Sequence, residues 1–202
     1  MKLNLDYTGD SRWEQMSSIH KTSLPIPNLF VSLLYRYQDQ IPNLKDINFA
    51  IETGTHDART SIFLAEHFDA AFTVELFPDH NPYDGKSYRQ LYEKINQKHE
   101  NLTFLFGNSN EVLSSVLEEL PDERFFILLD AHSMLDGPLR EELIAINKSS
   151  NRKDHVMLID DCRDLGQGNF PSLQEFKELL YAISPDYTII NTEEGNHIYL
   201  VY

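Results

Sequence analysis

Short apolar runs alternate with amphipathic stretches along most of this chain. The runs at 49–51, 71–74, 102–106, 124–129 and 155–159 are short and mostly apolar, which predicts strands buried on both faces. Between them apolar residues recur at helical spacing. Ala58, Ile62 and Ala65 make one such stripe, Tyr88, Leu91, Tyr92 and Ile95 a second, and Leu139, Leu143 and Ile146 a third. Further helices are expected over 111–120, with Asn108 or Ser109 as its cap, and over 172–183 after Pro171. Upstream, 28–40 carries Leu29, Phe30, Leu33 and Leu34 at helical spacing and is stopped by Pro42. The chain closes with two strands, 187–191 and 197–202, joined by a Gly-Asn turn that signals a hairpin.

Five strands separated by helices require a parallel sheet with right-handed crossovers, and the terminal hairpin forces one strand antiparallel. The expected fold is therefore α/β: a Rossmann-like doubly wound sheet, mostly parallel, with a C-terminal antiparallel hairpin. One domain is expected over 1–202. Its parts are an N-terminal extension or lid over 1–25, a lead-in helix within 26–47 and a core over 48–202.

Composition narrows the partners. A formal net charge of −15 argues against a nucleic-acid backbone and against an anionic membrane surface. Cys162 is the single cysteine, so neither an internal disulfide nor a cysteine-based zinc site can form. No stretch reaches membrane-spanning length, and the expected location is the cytoplasm.

The chemistry gathers where the strands stop. In an open α/β sheet the ligand lies outside the carboxyl ends of the strands. Every unusual polar cluster falls there: Glu52, Thr53, Gly54, Thr55 and His56; then Glu75; then Asn108 and Ser109; then Asp130 with His132; and Asp160 with Asp161. The first cluster is a glycine turn opening a helix, and Glu75 follows Gly54 by 21 residues, the spacing at which an acid takes the two ribose hydroxyls of a nucleotide. A dinucleotide would want two further glycines, where this chain has Thr55, His56 and Ala58. S-adenosylmethionine has no phosphate, and its sulfonium and amino group suit an acid such as Glu52. Asn108 or Ser109 can reach an adenine. NAD is the weaker alternative.

Asp130 and the Asp160–Asp161 pair end neighbouring strands. Close carboxylates repel unless they are protonated or bridged, and hard oxygens of this kind suit Mg²⁺ or Ca²⁺. His132 either joins as a ligand or takes the proton of an acceptor hydroxyl. The plainer alternatives are an Asx turn at Asp161, an Arg163 that neutralises the acids, and a structural His132.

The blocks ETGTHDARTSIFLAEHF, FTVELF, GNSNEVL, FFILLDAHS and HVMLIDDCRDLGQGNFPSLQEF resemble, in order, those of a group of bacterial and phage class I methyltransferases. That group shows E-T-G-T, a strand ending in an acid, G-D-S, L-D-G-H and I-D-D. A more distant resemblance is to the macrocin and novobiocin sugar O-methyltransferases. The resemblance implies Glu52, Gly54 and Glu75 for the cofactor, and Asp130, Asp160 and Asp161 for Mg²⁺ or catalysis. Asn108 stands where the group has Asp, and Ala131 replaces a glycine. The implied activity is methyl transfer from S-adenosylmethionine to a hydroxyl of a small molecule or sugar, with Mg²⁺ as the candidate assisting ion. The competing reading is a non-catalytic domain of this fold that binds a nucleoside or a protein.

Overall fold

The structure is a computed structural model that describes residues 33, 36–81, 85–131, 137–192 and 198–202. Its strands are β1 (Phe49–Thr53), β2 (Ala70–Glu75), β3 (Leu102–Phe106), β4 (Phe125–Leu129), β5 (Val156–Ile159), β6 (Ile189–Asn191) and β7 (Tyr199–Val201). Its helices are α1 (Arg59–His67), α2 (Arg89–Asn96), α3 (Ser109–Glu119), α4 (Leu139–Ser149) and α5 (Leu173–Ile183). Short 3₁₀ turns occupy Leu44–Asp46 and Cys162–Asp164.

All seven strands form one sheet in the order β3-β2-β1-β4-β5-β7-β6. The first five run parallel, and β7 inserts antiparallel between β5 and β6. This is the expected mostly parallel sheet with its antiparallel close. The expected turn of that hairpin, most of the 28–40 helix and the 1–25 extension lie outside the described residues.

Strand alternation decides which residues feed which helical layer. Phe126 and Leu128 of β4 join Ala50, Ala71, Leu158 and Leu200 on the face covered by α1 and α2, with Leu33, Leu44 and Ile47. Phe125, Ile127 and Leu129 join Ile51, Val74, Met157 and Val201 on the face covered by α3, α4 and α5. Every side chain of β4 is buried, which is why it reads as the most continuous apolar run. Truncating a buried phenylalanine here to alanine costs about 3–5 kcal/mol.

The helix starts depart from expectation in one respect. Asn108 occupies the cap position of α3, yet its side chain makes no capping hydrogen bond. Ser109 is the first helical residue and does not cap either. At α5 the cap forms as usual, with Ser172 accepting from the Glu175 N–H at 3.2 Å.

Candidate functional site

Parallel register brings five strand ends to a single rim. The ladder continues one step past each strand: the N–H of Asp130 donates to Thr53 O at 3.1 Å, that of Asp160 to Leu129 O at 3.0 Å, and that of Gly107 to Glu75 O at 3.1 Å. Glu52, Glu75, Asn108, Asp130 and Asp160 therefore share one edge of the sheet. Glu75, Asp130 and Asp160 end their strands at this edge, whereas the Glu52 carboxylate, one residue short of its strand's end, turns inward to Ser61 and Thr73.

The turn after β1 is tightly determined. Gly54 has φ +87, and a Cβ there would sit 2.2 Å from the Asp130 carbonyl oxygen. Glycine is thus required by the approach of the β4 backbone. The N–H groups of Gly54 and Thr55 both donate to Val74 O, at 2.9 and 3.2 Å. Two residues with side chains, His56 (φ 44) and Ala58 (φ 61), also adopt left-handed backbone. Such residues persist where their surroundings over-determine them. Here the His56 N–H donates to Glu75 Oε2 at 2.9 Å, and the Tyr92 hydroxyl donates to His56 O at 2.6 Å. Tyr88 Oη lies 3.2 Å from His56 Nε2. Tyr88 and Tyr92, both from the α2 region, hold the loop from behind.

Glu75 is 8% exposed and already oriented. Its Oε1 accepts from the Phe77 N–H at 2.9 Å while Oε2 faces His56 and, at 3.5 Å, Tyr92. Each carboxylate oxygen takes two hydrogen bonds, so this anchoring leaves acceptor capacity toward the rim. Leu76 and Phe77, 51% and 43% exposed, follow it directly as an apolar ledge after a held carboxylate, while Phe106, 43% exposed on the neighbouring strand, lies under the Arg89 guanidinium. The sequence reading missed this ledge. Its signal was two large apolar residues placed immediately after the strand-ending acid.

Glu52 behaves differently from a simple rim acid. It is 1% exposed, and its Oε2 accepts from the hydroxyls of both Ser61 and Thr73, the latter at 2.7 Å. Thr73 in turn lies 2.7 Å from the Thr55 hydroxyl. Burial pushes the Glu52 pKa up to about 7, against the pull of Ser61 and Thr73. The acid sits beneath the turn and is enclosed there.

Asp130 carries the crowding. Burial, followed by the charges of Asp160, Glu52, Asp161 and Glu142, holds its carboxyl well above the usual carboxylate range. Asp160 Oδ1 accepts from the Asp161 N–H at 2.7 Å, and Asp161 itself has φ 49. Arg163 pairs with Asp161 at 3.1 Å. Among the described residues, no group of three His, Cys, Asp or Glu side chains is arranged to hold a metal ion. His132 lies outside the described residues. Cys162, next to the acids, is buried with its thiol pKa raised, chiefly by desolvation.

Sheet order, the antiparallel seventh strand and the acid-lined rim together define a class I methyltransferase fold. No family model matches the chain, and no curated protein does. Solved structures do match. One is a proposed O-methyltransferase from Klebsiella pneumoniae, 17% identical at a TM-score of 0.53, over 98% of this chain and 92% of that one. A protein from Pyrococcus horikoshii is 12% identical at a TM-score of 0.54, over 96% and 98%. A proposed O-methyltransferase from Nostoc punctiforme is 8% identical at a TM-score of 0.55, over 94% of this chain and 57% of its own. At these identities the likeness is one of fold. Among the described residues, no helix is long and apolar enough to cross a membrane.

Proposed function

We propose that this chain transfers a methyl group from S-adenosylmethionine to a hydroxyl of a small molecule or sugar. The observation that carries the reading is the pairing of Glu75 with its ledge. A carboxylate fixed by two backbone N–H groups, beside exposed Leu76 and Phe77, offers acceptors to a ribose and an apolar seat to a base. Asn108, an exposed residue whose side chain makes no capping bond, would read the base edge. Thr53, Gly54, Thr55 and His56 form the turn that would follow the rest of the cofactor, with Ser109 opening the next helix.

When bound, S-adenosylmethionine supplies an electrophilic methyl on a sulfonium, and the C–S bonding pair returns to sulfur as the acceptor oxygen attacks. The chain's own task is to position the acceptor and receive its proton. Asp130, with its raised pKa, is the group for that proton, and Asp160 beside it raises its basicity. His132 is the second candidate base. The donor set around Asp130, Asp160 and Asp161 is not arranged for Mg²⁺ among the described residues, so no step is assigned to a metal. The net charge of −15 favours a small acceptor over a nucleic acid.

Calorimetric titration with S-adenosylhomocysteine tests the pocket, with NAD as the contrast. Heat with the former and none with the latter is expected, and the reverse would overturn the reading. Transfer from labelled cofactor to a hydroxyl library, with Mg²⁺ and with EDTA, then tests the chemistry. Binding without transfer to any hydroxyl would leave a non-catalytic binding domain.

A further inference from the structure

On the opposite face of the sheet from Glu52 lies a second enclosed acid. Glu142 sits on the stripe of α4 defined by Leu139, Leu143 and Ile146, and all four are 0% exposed. Among the described residues, both of its carboxyl oxygens and the Ser109 hydroxyl are enclosed without a hydrogen-bond partner. The Thr53 and Ser109 hydroxyls lie beside it and draw its pKa down, while burial pushes it up to about 7. Glu141 on the same helix adds to the rise, and Asp130 at the end of β4 feels its charge.

An ionised carboxylate so placed has only the two hydroxyls to set against its lost hydration, whereas a well-packed apolar side chain would cost less. A protonated one has an O–H to donate, and the Ser109 oxygen stands ready to accept. The position also carries meaning. Thr53 immediately precedes Gly54 and receives the Asp130 N–H on its hydroxyl at 3.3 Å. Ser109 immediately follows Asn108. One side chain thus reaches the segments that border the pocket on both sides.

We propose that Glu142 is a positioning residue of the cofactor pocket, a buried carboxylic acid that ties the end of β1 to the start of α3 through Thr53 and Ser109 while it carries its proton. This rests on the pocket assigned above. An amide can replace the tie, because it too donates and accepts; an alkyl group cannot.

The test compares wild type, Glu142→Gln and Glu142→Leu by thermal unfolding from pH 5.5 to 8.5, and by calorimetry with S-adenosylhomocysteine at pH 6.5. The wild type should lose melting temperature as pH rises, and Glu142→Gln should lose distinctly less. Glu142→Gln should bind at least about tenfold more tightly than Glu142→Leu, a gap of about 1.4 kcal/mol. If Glu142→Leu does not fold, Ser109→Ala takes its place, with weakened binding expected. An unchanged pH slope in Glu142→Gln, or equal affinities for the two variants, overturns the proposal. No heat from the wild type would remove the pocket assignment and the positioning role with it, while the melting curves would still decide whether Glu142 holds a proton.

Discussion

Replacing Glu52 by glutamine should stabilise this protein at alkaline pH. The ordinary carboxyl titrates at 4.5, and in the fold Glu52 is lifted to about 7 by burial. Below 4.5 folded and unfolded chains both hold the proton, and stability does not depend on this group. As pH rises from there the unfolded chain ionises first, so the native state is progressively disfavoured. Above 7 both forms are ionised and the full penalty is present. The interval corresponds to about 3 kcal/mol of stability, present below pH 4.5 and lost by pH 8.

Glutamine has no proton to lose. Its carbonyl oxygen can still accept from Ser61 and Thr73, the two hydroxyls that converge on Oε2. Rearranging the other end should cost about 1 kcal/mol. The net gain at pH 8.5 is then about 2 kcal/mol, or roughly 4–8 °C in melting temperature for a chain of this size. Thermal or urea unfolding at pH 5 and pH 8.5 measures it directly. A wild type whose stability is flat across that range, or a Glu52→Gln variant less stable than wild type at pH 8.5, would refute the assignment of Glu52 as a buried, proton-holding acid.

Three further outcomes are expected. Gly54→Ala places a Cβ 2.2 Å from the Asp130 carbonyl at φ +87, and should cost more than about 2 kcal/mol in an unfolding titration; an unchanged midpoint would contradict the contact. Tyr92→Phe removes the hydroxyl that donates to His56 O at 2.6 Å, and should cost about 1 kcal/mol and weaken S-adenosylhomocysteine roughly fivefold by calorimetry. Asp130→Asn relieves the crowding by Asp160, Glu52 and Asp161, so it should retain S-adenosylhomocysteine while losing methyl transfer by about 100-fold or more. In the wild type the transfer rate should climb with pH through the raised Asp130 titration, and a pH-independent rate would remove Asp130 as the base.

Most of the architecture was legible because a doubly covered parallel sheet leaves a strong mark. Each strand from β1 to β5 is a largely apolar run, and each run except that of β3, which meets Gly107, stops at a polar residue at the rim. Side-chain direction was harder to read. Glu52 shares strand parity with Ala50, which packs toward α1, and that parity sends the acid inward to Ser61. Glu142 was overlooked because glutamate on a helix usually faces water; its place on the Leu139–Leu143–Ile146 stripe was the available signal. The left-handed turns at His56 and Ala58 carried none, since neither is glycine. Asn108 or Ser109 was expected to cap α3, yet neither does, and nothing in the local sequence distinguishes a used cap from an unused one.

The costs in this molecule are concentrated at one edge. His56, Ala58 and Asp161 hold left-handed backbone, and Glu52, Asp130 and Glu142 are carboxyls with raised pKa values around the same strand ends. None of these features helps a sheet pack. Alanine or leucine at the buried positions and glycine at the turns would give a more stable domain of identical topology. A chain selected only to keep this fold has no physical reason to retain them together. A pocket for the proposed cationic donor would, because Asp130, crowded by Asp160 and Asp161, could give up its proton in favour of a sulfonium's charge. The turn that strains His56 is also the turn that brings its N–H to Glu75. The same geometry therefore destabilises the edge and orients the acid that would receive the ribose, which is the arrangement expected where binding, and not folding, set the local sequence.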